Sequence, residues 1–113
     1  MLTIDKLIEF GCDANEGLNR CMNNEDLYFR LINKALEEDN YFNLKSNILN
    51  KDYDKAFEIS HSLKGVLGNL SLTPLYNIVF ELTEFLRSKK DMDYTNYIDN
   101  LFNKRNELLK LCE

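Results

Sequence analysis

Apolar residues recur three and four positions apart along most of the chain, the spacing that gathers them on one side of an α-helix. No segment alternates apolar and polar residues for long, as a half-buried β-strand would. Proline occurs once and glycine four times in the 113 residues, so helix-breaking positions are few. The pattern predicts an all-α protein.

Polar residues that cap helix N-termini divide this pattern into segments. Thr3, Asn24 and Asp52 each stand before an apolar-periodic segment, where their side-chain oxygens can accept a hydrogen bond from the first helical turn. Asp13 and Glu16 have the spacing of a capping box. The predicted helices span residues 4–10, 14–21, 25–39, 40–50, 53–69, 74–88 and 94–112.

The single proline marks a clear break between two of these helices. Thr73 is the predicted N-cap of the second one, and Pro74 is its first helical residue, where a missing N–H costs nothing. We predict an antiparallel up-down four-helix bundle with short extra helices at its N-terminus. The chain forms one domain, residues 1–113, with the short helices in 1–22 and the bundle in 24–112.

Charge and length argue against several classes of protein. The net charge is −5, and the 14 basic residues are scattered among 19 acidic ones, whereas nucleic-acid-binding proteins usually carry a clustered basic patch. No apolar run approaches the roughly 20 residues that span a bilayer. The first residues include acids and lack a cleavage-site pattern, unlike a signal peptide. We therefore expect a free-standing cytoplasmic protein that binds neither nucleic acid nor membrane.

The three cysteines are odd in number and have no C-x-x-C spacing. Without an export signal, Cys12, Cys21 and Cys112 are expected to be reduced thiols that pack as small hydrophobic residues. A zinc site built from these cysteines and His61, the only histidine, is the alternative. Structural zinc sites usually bring their ligands as close pairs, which this sequence lacks.

Residues 59–72, ISHSLKGVLGNLSL, combine that histidine with two glycines inside a predicted helix. Each helical residue advances about 100°, so the apolar stripe lies opposite His61, whose side chain is expected to face away from the core. The stripe consists of Ala56, Ile59, Leu63, Leu67 and Leu70, with Val66 on its flank. Gly65 and Gly68 fall within about 40° of His61, which predicts a surface cleared for close approach by another molecule.

The neighbours of His61 suggest what it does. Lys64, one turn later, places an ammonium where it can hold phosphoryl oxygens. Phe57, one turn earlier, is a candidate contact for a partner, and Glu58 is a candidate to orient the imidazole. No partner of the catalytic-triad type lies in this stretch, so we expect a nucleophile that awaits a donor brought by another molecule.

The sequence HSLKGVLGNLSL resembles the histidine-containing phosphotransfer (HPt) domains of two-component phosphorelays, whose motif runs H-x-L-K-G. The resemblance implies that Nε2 of His61 accepts a phosphoryl group and that Lys64 stabilises its charge. It implies that Gly65 and Gly68 make room for a receiver domain and that Asn69 lines the contact surface. The implied partners are response-regulator receiver domains and a hybrid sensor histidine kinase.

The same resemblance implies a monomer without ATP site or kinase activity, which is therefore not an enzyme in its own right and binds no cofactor. The Mg²⁺ needed for transfer would belong to the receiver domain. The chain departs from the family pattern at Val66 and Leu67, where small residues are common, at Ser71, where glycine is expected, and at Thr83, where Gln or Glu is common. A helical adaptor that uses the same surface without carrying phosphate is the alternative function.

Overall fold

The computed structural model describes Met1 to Glu113 and contains seven α-helices and no strand, which confirms the predicted all-α class. The helices are α1 (Ile4–Phe10), α2 (Ala14–Arg20), α3 (Glu25–Leu36), α4 (Asn40–Leu49), α5 (Tyr53–Asn69), α6 (Thr73–Arg87) and α7 (Thr95–Leu111). None of the seven combines the length and the apolarity that crossing a bilayer requires.

Three of the predicted helix caps form. The side chains of Thr3, Asn24 and Asp52 each accept a hydrogen bond from the backbone N–H three residues later, at 3.1 to 3.3 Å. Each such cap typically contributes about 1 kcal/mol. Gly11 ends α1 in the left-handed region, at φ 107°, which glycine adopts without steric cost.

Two other capping predictions are wrong. Asp13 makes no side-chain cap bond. The reciprocal bond of the capping box is also absent: the backbone N–H of Asp13 donates to the carbonyl oxygen of Ser71 at 3.1 Å, and the Glu16 carboxylate pairs with Arg20. Thr73 is the first residue of α6 and not its cap, and its hydroxyl donates to the carbonyl oxygen of Ser71 at 3.3 Å. Both helices still form, since tertiary packing outweighs a single cap.

The hydrophobic core lies between helices that follow one another along the chain. Helix α5 packs against α4 and α6, α6 packs against α7, and α7 also contacts α3. The predicted stripe of α5 faces this core: Ala56, Leu63, Leu67 and Leu70 are buried, and Ile59 is half-buried. The largest fully buried side chains elsewhere are Leu7, Tyr28, Ile32, Leu36, Tyr41, Leu44, Leu72, Leu75, Leu82 and Leu86.

The N-terminal third of the chain holds the end of α5. The Arg20 guanidinium donates to the carbonyl oxygens of Gly68 and Asn69, at 2.9 and 3.2 Å. The buried hydroxyl of Tyr28 donates to the carbonyl oxygen of Leu70 at 2.7 Å. The Gly68 carbonyl oxygen also accepts from the backbone N–H of Ser71 at 3.1 Å, and a cation at a helix C-terminus is electrostatically favourable. Two side chains from α2 and α3 therefore complete the C-terminal turn of α5.

Arg105 of α7 fills the junction between α3 and α4. It is 9% exposed, and its Nε donates to the carbonyl oxygen of Leu36, the last residue of α3, at 2.6 Å. Its guanidinium carbon lies 5.0 Å from the ring centroid of Tyr41 and 5.3 Å from that of Phe42. The buried cation is thus paired with a helix C-terminus and two aromatic rings.

The cysteines are free thiols. Cys12 and Cys21 are buried and Cys112 is partly buried, as expected for residues that pack as small hydrophobes. No group of three or more His, Cys, Asp or Glu side chains lies close enough together to hold a metal ion. The zinc alternative therefore receives no support from the fold.

The buried Cys12 thiol makes the stability of the protein depend on pH in the alkaline range. Burial raises its pKa from 9.0 to about 11, and a backbone hydrogen bond at Thr73 offsets only part of that rise. Between pH 9 and 11 the unfolded chain releases this proton while the native protein retains it, so the native state loses stability as pH rises. The contribution of this thiol to the free energy of unfolding, measured in urea, should therefore fall by about 1 kcal/mol per pH unit there.

The variant Cys12→Ala tests this contribution, because it removes the titrating thiol. It also removes a charge that raises the pKa of the Tyr28 hydroxyl, which changes the slope in the same direction. Its unfolding free energy should fall less steeply between pH 9 and 11 than that of the wild type. Parallel slopes for the two proteins would show that Cys12 does not cause the effect.

Candidate functional site

The structure places His61 in the middle of α5 on the exposed side of the helix, as the helical geometry predicts. Leu63 and Leu67, on the opposite side of α5, are 1% and 0% exposed. None of the main surface clefts is lined by His61. An imidazole on an open helix face, outside the main clefts, suits contact with a macromolecule better than capture of a small substrate.

The two glycines near His61 differ in their surroundings. A Cβ added at Gly65 would have no heavy atom within 4 Å, so this surface is open as predicted. A Cβ added at Gly68 would lie 3.1 Å from Cε1 of Tyr76, because α6 brings that ring onto the glycine. The prediction that Gly68 leaves the surface open is therefore wrong, because the Tyr76 ring occupies the space next to it.

Lys64 extends toward α6. The side chain is half-buried, and Nζ lies 5.5 Å from the ring centroid of Phe80, a cation–π contact. Phe80 is 44% exposed and was not predicted as part of the site. The sequence contains a signal for an aromatic pair here, because Tyr76 and Phe80 are four residues apart. In the structure their ring centroids are 6.0 Å apart.

Phe57 lies directly against His61. The two ring centroids are 5.8 Å apart and the ring planes are inclined by 22°, a stacked arrangement. The guanidinium carbon of Arg87, from α6, lies 4.9 Å from the Phe57 ring centroid. Phe57, predicted as a contact for a partner, is thus also a contact of the histidine itself.

Neither Glu58 nor Thr83 holds the imidazole. Glu58 is exposed and makes no hydrogen bond or ion pair with His61, so the predicted orienting role does not appear in the structure. Thr83 is fully buried, and its hydroxyl donates to the carbonyl oxygen of Val79 at 2.6 Å. That leaves Thr83 to accept from the buried hydroxyl of Ser60, because a hydroxyl has one proton to donate. Thr83 therefore does not replace the usual polar neighbour of the histidine.

The C-terminal end of α5 carries the remaining predicted residues. Asn69 is exposed and lines a shallow cleft with Val66 and with residues of α3, to one side of His61. Leu67 is buried and Val66 half-buried, in agreement with their assignment to the core side. Ser71 has φ 56°, in the left-handed region that glycine adopts more easily, which explains why glycine is expected there.

Charges around the site are mixed, and several acidic groups are paired. Asp54, two turns before His61, forms an ion pair with Lys89 at 3.0 Å, and Glu84 pairs with Arg87 at 3.5 Å. Lys64 has no carboxylate partner within 4.0 Å, so its ammonium can still attract an anion. The site thus combines an accessible ring nitrogen with a cation one turn away.

No protein-family model, curated protein or solved structure matches the chain. Functional inference for this protein therefore rests on the H-x-L-K-G sequence and on the geometry around His61.

Proposed function

We propose that this protein is a phosphorelay intermediate of the HPt type, in which His61 reversibly carries a phosphoryl group. The observation that carries the proposal is the position of His61 on an open face of α5, with Lys64 one turn later and no heavy atom within 4 Å of a Cβ at Gly65. A partner's active site can approach an imidazole in this position closely, whereas a buried histidine would be out of reach.

In the proposed fold, α3 and α4 together form the first rod of an antiparallel four-helix bundle, and α5, α6 and α7 form the other three. Support comes from the packing of α5 on α4 and α6, and of α7 on α6 and α3. Arg105 of α7 bonds to Leu36 at the α3–α4 junction, which suits a single interrupted rod. Helices α1 and α2 are then additional to the bundle, and Arg20 of α2 contacts the end of α5 at Gly68 and Asn69.

The chemistry needs one nucleophile from this chain. The lone pair on Nε2 of neutral His61 forms a bond to phosphorus, the bond between phosphorus and the receiver's aspartate oxygen breaks, and the carboxylate leaves with that electron pair. The Lys64 ammonium stabilises the negative oxygens of the transferred group. Transfer to a second receiver domain is the same displacement in reverse.

The partners in this proposal are response-regulator receiver domains and a hybrid sensor histidine kinase, which meet the monomeric protein in the cytoplasm. In this proposal Mg²⁺ is bound by the receiver domain, as the resemblance to HPt domains implies. The chain itself carries no kinase activity in this scheme; it is a substrate and a donor in turn.

The proposal predicts transfer of label from a radioactively phosphorylated receiver domain with Mg²⁺ to this protein. A panel of receiver domains should contain at least one that labels the wild type within minutes. The label should be lost in acid and retained in base, as for a phosphohistidine and unlike an acyl phosphate. His61→Gln should remain unlabelled, with a loss of roughly 100-fold or more, because an amide nitrogen is not nucleophilic.

Lys64→Met is the second variant, since it keeps the length and packing of the side chain but removes the charge. Its labelling should slow by roughly tenfold, the effect of one charged hydrogen bond on a transferring phosphoryl group. Absence of label from every receiver, or equal label on His61→Gln, would refute the phosphorelay function. Receiver binding without any transfer would support the adaptor alternative.

A further inference from the structure

The His61 imidazole is held by aromatic contact and not by a hydrogen bond. The Phe57 ring stacks on it, with centroids 5.8 Å apart and planes inclined by 22°. No hydrogen bond or ion pair of the protein reaches either ring nitrogen of His61. An exposed histidine ring without contacts would rotate freely about two side-chain bonds, so the stack is its main restraint.

The polar groups that could have oriented the ring are committed elsewhere. The Thr83 hydroxyl donates its only hydrogen bond to the carbonyl oxygen of Val79 and accepts one from the hydroxyl of Ser60. Asp54, on the same side of α5, is paired with Lys89. The imidazole of His61 thus has no hydrogen-bonding partner on α6, and it has the ring of Phe57 beside it on α5.

Phe57 is itself held from the next helix. The guanidinium carbon of Arg87 lies 4.9 Å from the centroid of the Phe57 ring, and Arg87 is tied to Glu84 at 3.5 Å. Phe57 is half-buried and packs against the core, so its ring has less freedom than the imidazole it touches. The contacts run from Glu84 through Arg87 and Phe57 to His61.

We propose that Phe57 is a positioning residue for phosphoryl transfer: its ring, held by Arg87, restricts the orientation of the imidazole in place of a hydrogen bond. This proposal rests on the proposed role of His61 as phosphoacceptor. A stacking contact shifts a conformational equilibrium by roughly two- to tenfold, which sets the size of the effect on the rate. The stack acts through His61, and Phe57 need not touch the phosphoryl group.

Phosphoramidate tests this without any receiver domain. In that reaction Nε2 of His61 bonds to phosphorus, the phosphorus–nitrogen bond of phosphoramidate breaks, and ammonia leaves with the electron pair. We expect Phe57→Leu, which keeps apolar bulk but loses the aromatic ring, to be phosphorylated about three- to tenfold more slowly than the wild type. Phe57→Tyr keeps the ring and should stay within about twofold.

The orientation of the ring is measured directly by NMR. In the wild type the carbon-bound protons of the His61 ring should show upfield ring-current shifts, and the side-chain couplings should indicate one dominant rotamer. Both signatures should vanish in Phe57→Leu, persist in Phe57→Tyr and weaken in Arg87→Met. Phe42→Leu is the control, because it removes an exposed phenylalanine that contacts Phe102 and Arg105 but not His61.

Averaged His61 rotamers in the wild type, or unchanged rotamers and rates in Phe57→Leu, would overturn the positioning role. Equal slowing in the Leu and Tyr variants would do the same, since it would indicate packing and not stacking. If Phe57→Leu fails to fold, Arg87→Met, at an exposed position, takes its place in the test. Weaker ring-current shifts of His61 in that variant would support the positioning role, and unchanged shifts would contradict it. The NMR result does not depend on receivers, so a wild type with an ordered ring but no receiver-derived label refutes only the phosphorelay function.

Discussion

Replacing Gly65 by leucine is expected to slow phosphoryl transfer from a receiver domain by roughly 10- to 100-fold while leaving the protein at least as stable as the wild type. A Cβ at residue 65 would have no heavy atom of the fold within 4 Å, so a side chain there starts from open space. Leucine also favours the helix over glycine by nearly 1 kcal/mol. The same side chain projects about 40° from His61, where it would hold a docking partner away from the ring.

Stopped-time labelling with a phosphorylated receiver domain gives the rate, and thermal unfolding gives the stability. Phosphoramidate should still label Gly65→Leu within about twofold of the wild type, because so small a donor does not need the cleared surface. Ser62→Leu is the matched control: it adds the same side chain at an exposed position of α5, about 100° from His61. If the rate of labelling by the receiver domain is unchanged in Gly65→Leu, or is lowered equally in Ser62→Leu, the receiver does not dock on the surface around Gly65.

Gly17→Ala is expected to destabilise the protein by about 2 kcal/mol, although alanine is the better helix former. A Cβ at this buried position in α2 would collide with the Tyr28 hydroxyl and lie 2.7 Å from the carbonyl oxygen of Leu70. Those two atoms are the partners in the hydrogen bond that completes the end of α5. Relief of the collision therefore breaks a buried bond or separates α2 from α5.

Gly65→Ala is the control for this prediction, because it makes the same substitution in a helix without a collision. It should raise the free energy of unfolding by about 1 kcal/mol, so the two alanine variants should shift the melting temperature in opposite directions. Urea unfolding of both variants measures the difference. A Gly17→Ala protein as stable as the wild type would show that α2 does not pack closely against Tyr28 and Leu70.

Much of the fold follows from local sequence. The helices of this chain are set by three- and four-residue apolar spacing and by caps such as Asn24 and Asp52, which act within one turn of the backbone. The outward direction of His61 follows in the same way, because the apolar stripe of α5 fixes which side is buried. These features require no knowledge of which helices are neighbours.

The failures of sequence reasoning arise where distant residues meet. The ring of Tyr76 covers Gly68 only because α6 returns beside α5, and the sequence does not state their relative rotation. Arg20, which pairs with Glu16 of the predicted capping box, donates to carbonyl groups 48 and 49 residues later. Thr83 could be placed near His61 by family pattern, but its inward rotation depends on Ser60 and Val79. Such contacts are three-dimensional facts that helical periodicity does not contain.

The anchoring of α5 has a consequence for the thermodynamics of association. Arg20 and Tyr28 fix the carbonyl groups at the end of α5, while Asp52 fixes its beginning, so the helix that presents His61 is restrained at both termini. Fraying of either end would otherwise be frozen on binding, at a cost of roughly 1–2 kcal/mol for each residue that becomes ordered. In the proposed docking of a receiver domain, a helix that is already ordered binds without this loss of conformational entropy.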